Sequence, residues 1–213
     1  MAATTAARIG VIICSVRTPR VGLSVSHWIK DVIDARENDT DTEYSLVDLV
    51  EFKLPLFDEN IIPAMVPAKG NYSKEHTKAW SKEISKYGAY VFVTPEYNYG
   101  IPGATKNAVD FLYNEWLNKP AMVISYGVQG GKDSSAALCQ TLEGMKLQVC
   151  AARPNLPFHG GQGPDTFAAM GGSLGDDTKA DWEKEQRPLI LEGIAELEEK
   201  LAASLVPRKE EAQ

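Results

Sequence analysis

The chain has 213 residues, 44% hydrophobic and 24% charged, which is enough apolar content to build a sizeable core and argues against intrinsic disorder. Its 22 Lys and Arg stand against 29 Asp and Glu, and a net charge of −7 excludes the basic face that nucleic acid requires. No apolar run reaches the ~18 residues of a membrane span and the start MAATTAAR has no apolar signal stretch, so we expect one cytoplasmic domain over residues 1–213, its core spanning about 8–204.

In chain order, residues 8–14 (RIGVIIC) form a continuous apolar run, the pattern of a strand covered on both faces. Val25, Trp28, Ile29, Val32 and Ile33 then mark one stripe of a helix that Ser24 is placed to cap. Residues 43–49 read as a half-polar edge strand, followed by a Pro-rich stretch (Leu54-Pro55-Leu56-Phe57, Pro63, Pro67) that cannot be regular. Ser73 is expected to cap a helix carrying Thr77, Trp80, Ile84 and Tyr87, which Gly88 ends. Residues 89–94 are a third strand, and 104–113 a helix with Ala104, Ala108, Phe111 and Leu112 inward. Residues 120–126 are a fourth strand, 134–145 a helix and 146–150 a short fifth strand. Residues 151–177, rich in glycine, read as one long surface loop, and 177–203 as a helix kinked at Pro188, with a charged tail over 207–213.

Strands alternating with helices give a doubly wound α/β domain, and five strands with the most apolar run first fit the flavodoxin-like order 2-1-3-4-5. Ligands of such sheets bind outside the carboxyl ends of the strands, where strands 1 and 3 diverge. Three loops leave those ends. Ser15 to Gly22 joins a buried strand to a helix N-terminus and carries Ser15, Thr18, Arg17 and Arg20, groups suited to a phosphate. It has neither the GK[ST] of a nucleotide triphosphate loop nor GxGxxG, so a single phosphate monoester fits better than a pyrophosphate. Thr94 to Gly103 (TPEYNYGIPG) is stiffened by Pro95, Pro102 and two glycines, and its two tyrosines suit a planar ligand. Ser125 to Lys132 (SYGVQGGK) allows close backbone approach.

The segments Cys14-Ser15-Val16-Arg17 with Arg20 and Gly22, Pro95-Glu96-Tyr97-Asn98-Tyr99-Gly100-Ile101-Pro102-Gly103 with Lys106-Asn107 and Asp110, and Tyr126-Gly127 with Gly130-Gly131 resemble the NADPH-dependent FMN reductase family, near its quinone-reductase branch. The resemblance implies an FMN cofactor with NADPH or NADH as electron donor. Ser15, Arg17, Thr18, Arg20, Val21 and Gly22 would then hold the FMN phosphate. Pro95, Glu96, Tyr97 and Asn98 would line the ring system, and Ser125, Tyr126, Gly127, Gly130 and Gly131 would offer donors at its pyrimidine end. It implies a homodimer or homotetramer, for which Glu115-Trp116 is a candidate interface, although a core tryptophan is an equal reading. The acceptor would be a small molecule: a quinone, an azo compound or free flavin. No nucleic acid, membrane or metal is expected, and the flavin carries the chemistry without a catalytic side chain.

Two other classes fit part of the pattern. A flavodoxin-type electron carrier, or a redox-sensing flavoprotein, would share the FMN site. A small phosphatase would use Cys14 and Arg20, which stand in C-x5-R spacing, but Val21 replaces the hydroxyl residue expected after that arginine. His27, His76 and His159 are scattered without ligand spacing, and Cys14, Cys139 and Cys150 make no CxxC pair.

Overall fold

The computed structural model describes residues 7–37 and 41–205, so the expected tail over 207–213 lies outside the described residues. Strand β1 (Ala7–Ile13) lies between β2 (Thr42–Asp48) and β3 (Ala89–Pro95). Beyond β3 comes β4 (Pro120–Gly127), which pairs with two short pieces, β5 (Gln148–Val149) and β6 (Asn155–Pro157). All pairings are parallel, and the order β2-β1-β3-β4-β5 is the one expected from the sequence.

The continuous apolar runs are explained by two cores. Ile9, Val11, Val91, Val93, Met122 and Ile124 face α1 (Gly22–Asp34) and α8 (Arg187–Leu205). Ile12, Tyr90, Phe92, Ala121 and Val123 face α3 (Glu75–Ile84), α4 (Gly103–Asp110) and α5 (Lys132–Gly144). A strand alternates its side chains between faces, so burial on both sides demands apolar residues at every position.

Several local expectations are corrected. The fifth strand breaks in two: between its pairings β4 advances from Ala121 to Ser125 while its neighbour advances from Val149 to Asn155. The extra residues bulge because the amides of Ala151 and Ala152 turn to the Glu196 carboxylate (2.9 and 3.3 Å) and not to β4, and Pro154 has no amide to give. Helix α1 opens at Gly22, so Ser24 sits inside its first turn and donates to Gly172 O at 3.3 Å. Within residues 151–177 lie β6, a helix α6 (Pro164–Met170) and the start of α7 (Asp176–Glu185). Pro188 does not kink one long helix: α7 ends before Gln186 and Pro188 stands in the first turn of α8, where its missing amide costs nothing. Helix α4 stops at Asp110, with Ala104 only half-buried.

Glu115 and Trp116 are not interface residues. Both are fully buried within the chain, Trp116 packed against Trp80, Tyr90 and Phe92. No helix among the described residues is long and apolar enough to cross a membrane.

Ser73 does not cap α3 either. Glu59 does: its carboxylate accepts from Ser73 N (3.0 Å), Ser73 Oγ (2.6 Å) and Lys74 N (2.9 Å). Burial opposes the charge, but the Ser73 hydroxyl and these amides outweigh it and hold the carboxyl down at about 2. A folded value depressed below the ordinary 4.5 adds stability above that pH, which is lost as pH falls through the folded value. We therefore expect Glu59→Gln to cost about 1 kcal/mol near neutral pH, with the gap from wild type closing as pH drops through 4.5 toward 2. Urea midpoints across that range test it; a gap independent of pH would assign the cap elsewhere.

Candidate functional site

The loops after β1, β3 and β4 meet at one cavity of about 280 Å³. From the first loop it is lined by Ser15, Arg17, Arg20 and Val21, from the second by Pro95, Glu96 and Tyr97, and from the third by Tyr126, Gly127 and Val128. Ser15, where β1 gives way to the loop, is buried, and its Oγ is one of three buried side-chain oxygens among the described residues with no hydrogen-bond partner. Such a group costs free energy unless a ligand or water satisfies it. Gly22 backs this hydroxyl from the start of α1. A Cβ there would lie 2.0 Å from Ser15 Oγ and 2.4 Å from the Tyr126 hydroxyl, so only glycine leaves both side chains in place. Burial pushes the Tyr126 hydroxyl well up, so it stays a protonated donor.

The two arginines have different partners. Arg20 pairs with both oxygens of Asp48 at the end of β2 and donates to Ser15 O at 2.5 Å, bracing the loop. Arg17 Nη1 donates to the carbonyls of Pro19 and Met170, and Nη2 to Ala169 O at 3.3 Å. Five N–H donors belong to a guanidinium, so Arg17 keeps two for a ligand. Thr18 is exposed and does not line the cavity.

The second loop is a tight hairpin: Tyr97 and Gly100 exchange both backbone hydrogen bonds at 3.2 Å, with Asn98 (φ +50) and Tyr99 (φ +60) at the tip. Asn and Tyr in the left-handed region are uncommon, and Asn98 at this tip is exposed and does not line the cavity. Glu96 faces the cavity while its carboxylate accepts from the amides of Asp133 (2.9 Å) and Ser134 (3.2 Å), capping α5. In the third loop Ser125 turns inward, its hydroxyl donating to Gly130 O (2.7 Å) and meeting Asn155 Oδ1 (2.9 Å). Gly131 has φ +75 and would set a Cβ 2.9 Å from Tyr126 O, so no other residue fits that turn. Ser125, Gly130 and Gly131 thus shape the loop from behind, and Tyr126 and Gly127 present it.

Four lining residues fall outside the three strand-end loops and within the long loop expected over 151–177: Phe158, Thr166, Ala169 and Met170. All but Phe158, which follows β6, come from α6. A helix signal was present there, since Gly163-Pro164-Asp165 puts proline at the first helical position and an acid in the first turn.

Cys14 settles the phosphatase spacing. The thiol is buried, donates to Ile12 O at 3.5 Å and is pushed up by desolvation to about 12, so no thiolate nucleophile forms. Arg20, its supposed partner, is spent on Asp48. Cys14→Ala should cost roughly 1 kcal/mol of stability through lost packing and leave cavity chemistry unchanged. Paired reductase and phosphatase assays on the variant check this; phosphatase activity that vanishes with the thiol would contradict it. Among the described residues no group of three or more metal-ligating side chains gathers.

The model of the NADPH-dependent FMN reductase family matches residues 7–158. The chain is 46% identical to an NAD(P)H-dependent FMN reductase of Nectria sp over 198 residues, 92% of this chain and 97% of that one. It is 39% identical to an NAD(P)H-dependent FMN reductase of Saccharomyces cerevisiae over 67% of this chain and 76% of that one. Among solved structures, the flavoenzyme NAD(P)H:(acceptor) oxidoreductase FerB from Paracoccus denitrificans superposes with a TM-score of 0.61 at 23% identity, covering 89% of this chain and 98% of that one, a likeness of fold.

Proposed function

The chain belongs to the NADPH-dependent FMN reductase family, and from that premise we propose that it holds FMN in the cavity at the ends of β1, β3 and β4 and catalyses electron transfer from NADPH or NADH to a quinone, an azo compound or free flavin. The observation that carries this reading is the unpartnered Ser15 hydroxyl beside Arg17, which has donors to spare. A phosphate monoester supplies the acceptors that both lack. The donor set therefore fits the cofactor. When bound, FMN would supply the redox chemistry that links the nicotinamide to the acceptor.

The chain's own groups bind and orient. Ser15 and Arg17 take the phosphate, while Arg20 and Gly22 hold that loop in shape. Pro95 and Tyr97 form the wall for the ring system, and Tyr126 and Gly127 close the opposite side. Ser125, Gly130 and Gly131 shape the third loop behind these groups, while Thr18 and Asn98 are exposed and do not line the cavity. No side-chain acid, base or nucleophile takes part, because the wall offers no activated one: Cys14 is protonated and Glu96 is committed to the start of α5.

The visible spectrum of the purified protein, followed by FMN titration and NADPH oxidation with and without a quinone, tests the proposal. Flavin bands and acceptor-dependent turnover are expected. A protein that stays colourless with added FMN would sink the reading. Flavin bands without nicotinamide oxidation would make it an electron carrier of the flavodoxin type.

We also propose that the protein is a homodimer, or a tetramer built from dimers, joined through the segment between α2 (Leu49–Phe52) and α3. There Leu56 (86%), Ile62 (70%) and Met65 (68%) are exposed, and Asn107 ties the segment to α4 through Phe57 N (3.0 Å) and Pro55 O (2.7 Å). Ile62→Glu should convert a dimer to a monomer in sedimentation; a monomeric wild type at micromolar concentration would refute it.

A further inference from the structure

Helix α6 lies beyond the residues that match the family model, yet it forms one side of the cavity. Two of its last carbonyls, Ala169 O and Met170 O, take the Arg17 guanidinium, Ala169 O while also accepting from Gly172 N at 3.1 Å. Both ends of α6 are braced. At its start, Asp165 Oδ2 accepts from Thr178 N (2.8 Å) and Thr178 Oγ1 (2.6 Å) at the opening of α7. Just past its end, Gly172 O accepts from Ser24 in α1. The side chain that would otherwise swing freely on an exposed loop is thus held from a fixed point on another element.

We propose that α6 is a positioning element for Arg17: its terminal carbonyls, together with Pro19 O, take three of the five guanidinium N–H groups and thereby aim the two that remain at the phosphate of FMN. The inference rests on the FMN reading above. Fixing the guanidinium before binding removes the rotamer entropy that a free arginine loses on meeting a phosphate. The consequence is selectivity: α6 contributes to FMN affinity through the phosphate and contributes little to riboflavin, which lacks it. Asp165, which does not line the cavity, is the handle by which α6 can be loosened without touching a ligand-facing group.

The test is the dissociation constant of FMN and of riboflavin, measured by flavin fluorescence on Asp165→Ala, Asp165→Asn and Arg17→Ala. Asp165→Ala should weaken FMN by roughly tenfold, a partial loss of a charge-assisted contact, and leave riboflavin within about twofold. Asp165→Asn keeps an acceptor for Thr178 and should recover most of the affinity. Adding Asp165→Ala to Arg17→Ala should weaken FMN no further, because both act through the same guanidinium. Should Asp165→Ala unfold the chain, Thr178→Val replaces it: this removes the hydroxyl half of the brace, with the bond from His159 N, and leaves the residue 178 amide on Asp165, so the same selective loss of FMN over riboflavin is expected at smaller size. Equal weakening of FMN and riboflavin would make α6 a plain wall and overturn the proposal. So would unchanged FMN binding, or tighter binding, which would mean that α6 withholds Arg17 from the phosphate. Failure of the wild type to bind FMN is a different result: it would remove the cofactor reading itself.

Discussion

Glu115→Ala is expected to destabilise the fold by about 3–5 kcal/mol, a large share of the stability of a domain this size. The carboxylate is fully buried and serves three donors: Ser81 Oγ at 2.6 Å, Tyr72 OH at 2.8 Å and the Gly70 amide at 3.1 Å. Alanine leaves all three without an acceptor, and each unmet buried donor costs about 1–3 kcal/mol. It also opens a void next to Trp116 in the core under α3. Glu115→Gln keeps an acceptor for Ser81 and Gly70, so it should cost much less. Urea unfolding of both variants decides the point. A loss under about 1 kcal/mol for alanine would show that water replaces the carboxylate and that the network is not sealed.

Gly22→Ala should weaken FMN binding by roughly a hundredfold, about 2.7 kcal/mol, near the upper end of the usual cost of overpacking. The added methyl would stand 2.0 Å from Ser15 Oγ, 2.4 Å from the Tyr126 hydroxyl and 3.0 Å from Ser15 Cβ. None of these can give way easily. Ser15 follows directly on the central strand, and Tyr126 is in β4, paired with Pro95 on one side and Leu156 on the other. The relief available is rotation of the Ser15 hydroxyl, which takes away the group assigned to the phosphate. Backbone conformation is not the obstacle, since Ala is a better helix former than Gly. A fluorescence titration of the variant against FMN gives the answer; unchanged affinity would show that Ser15 Oγ does not meet the phosphate.

The sequence by itself determined the sheet and the address of the site. Residues 9–14 and 89–93 carry no charged side chain because both faces are covered, and the strand order then followed from connection rules. The lengths of the runs placed three loops at one edge, and the glycines at 22 and 131 marked where backbone and side chains come closest. What only the tertiary structure decided were partnerships across long stretches of chain. Arg17 and Arg20 look alike in sequence, yet one meets carbonyls of α6 and the other meets Asp48. The residues before α3 carry no sign that Glu59, a loop acid, caps it in place of Ser73. Glu115-Trp116 reads equally as surface or core until Ser81, Tyr72 and Gly70 converge on the carboxylate. The fourth wall, α6, was hidden by the glycines that flank it, since a helix of seven residues is too short to hold by propensity and forms because its ends are bonded to α1, α7 and Arg17. Periodicity encodes which face of an element is buried; it carries no record of which polar group waits on the element that covers it.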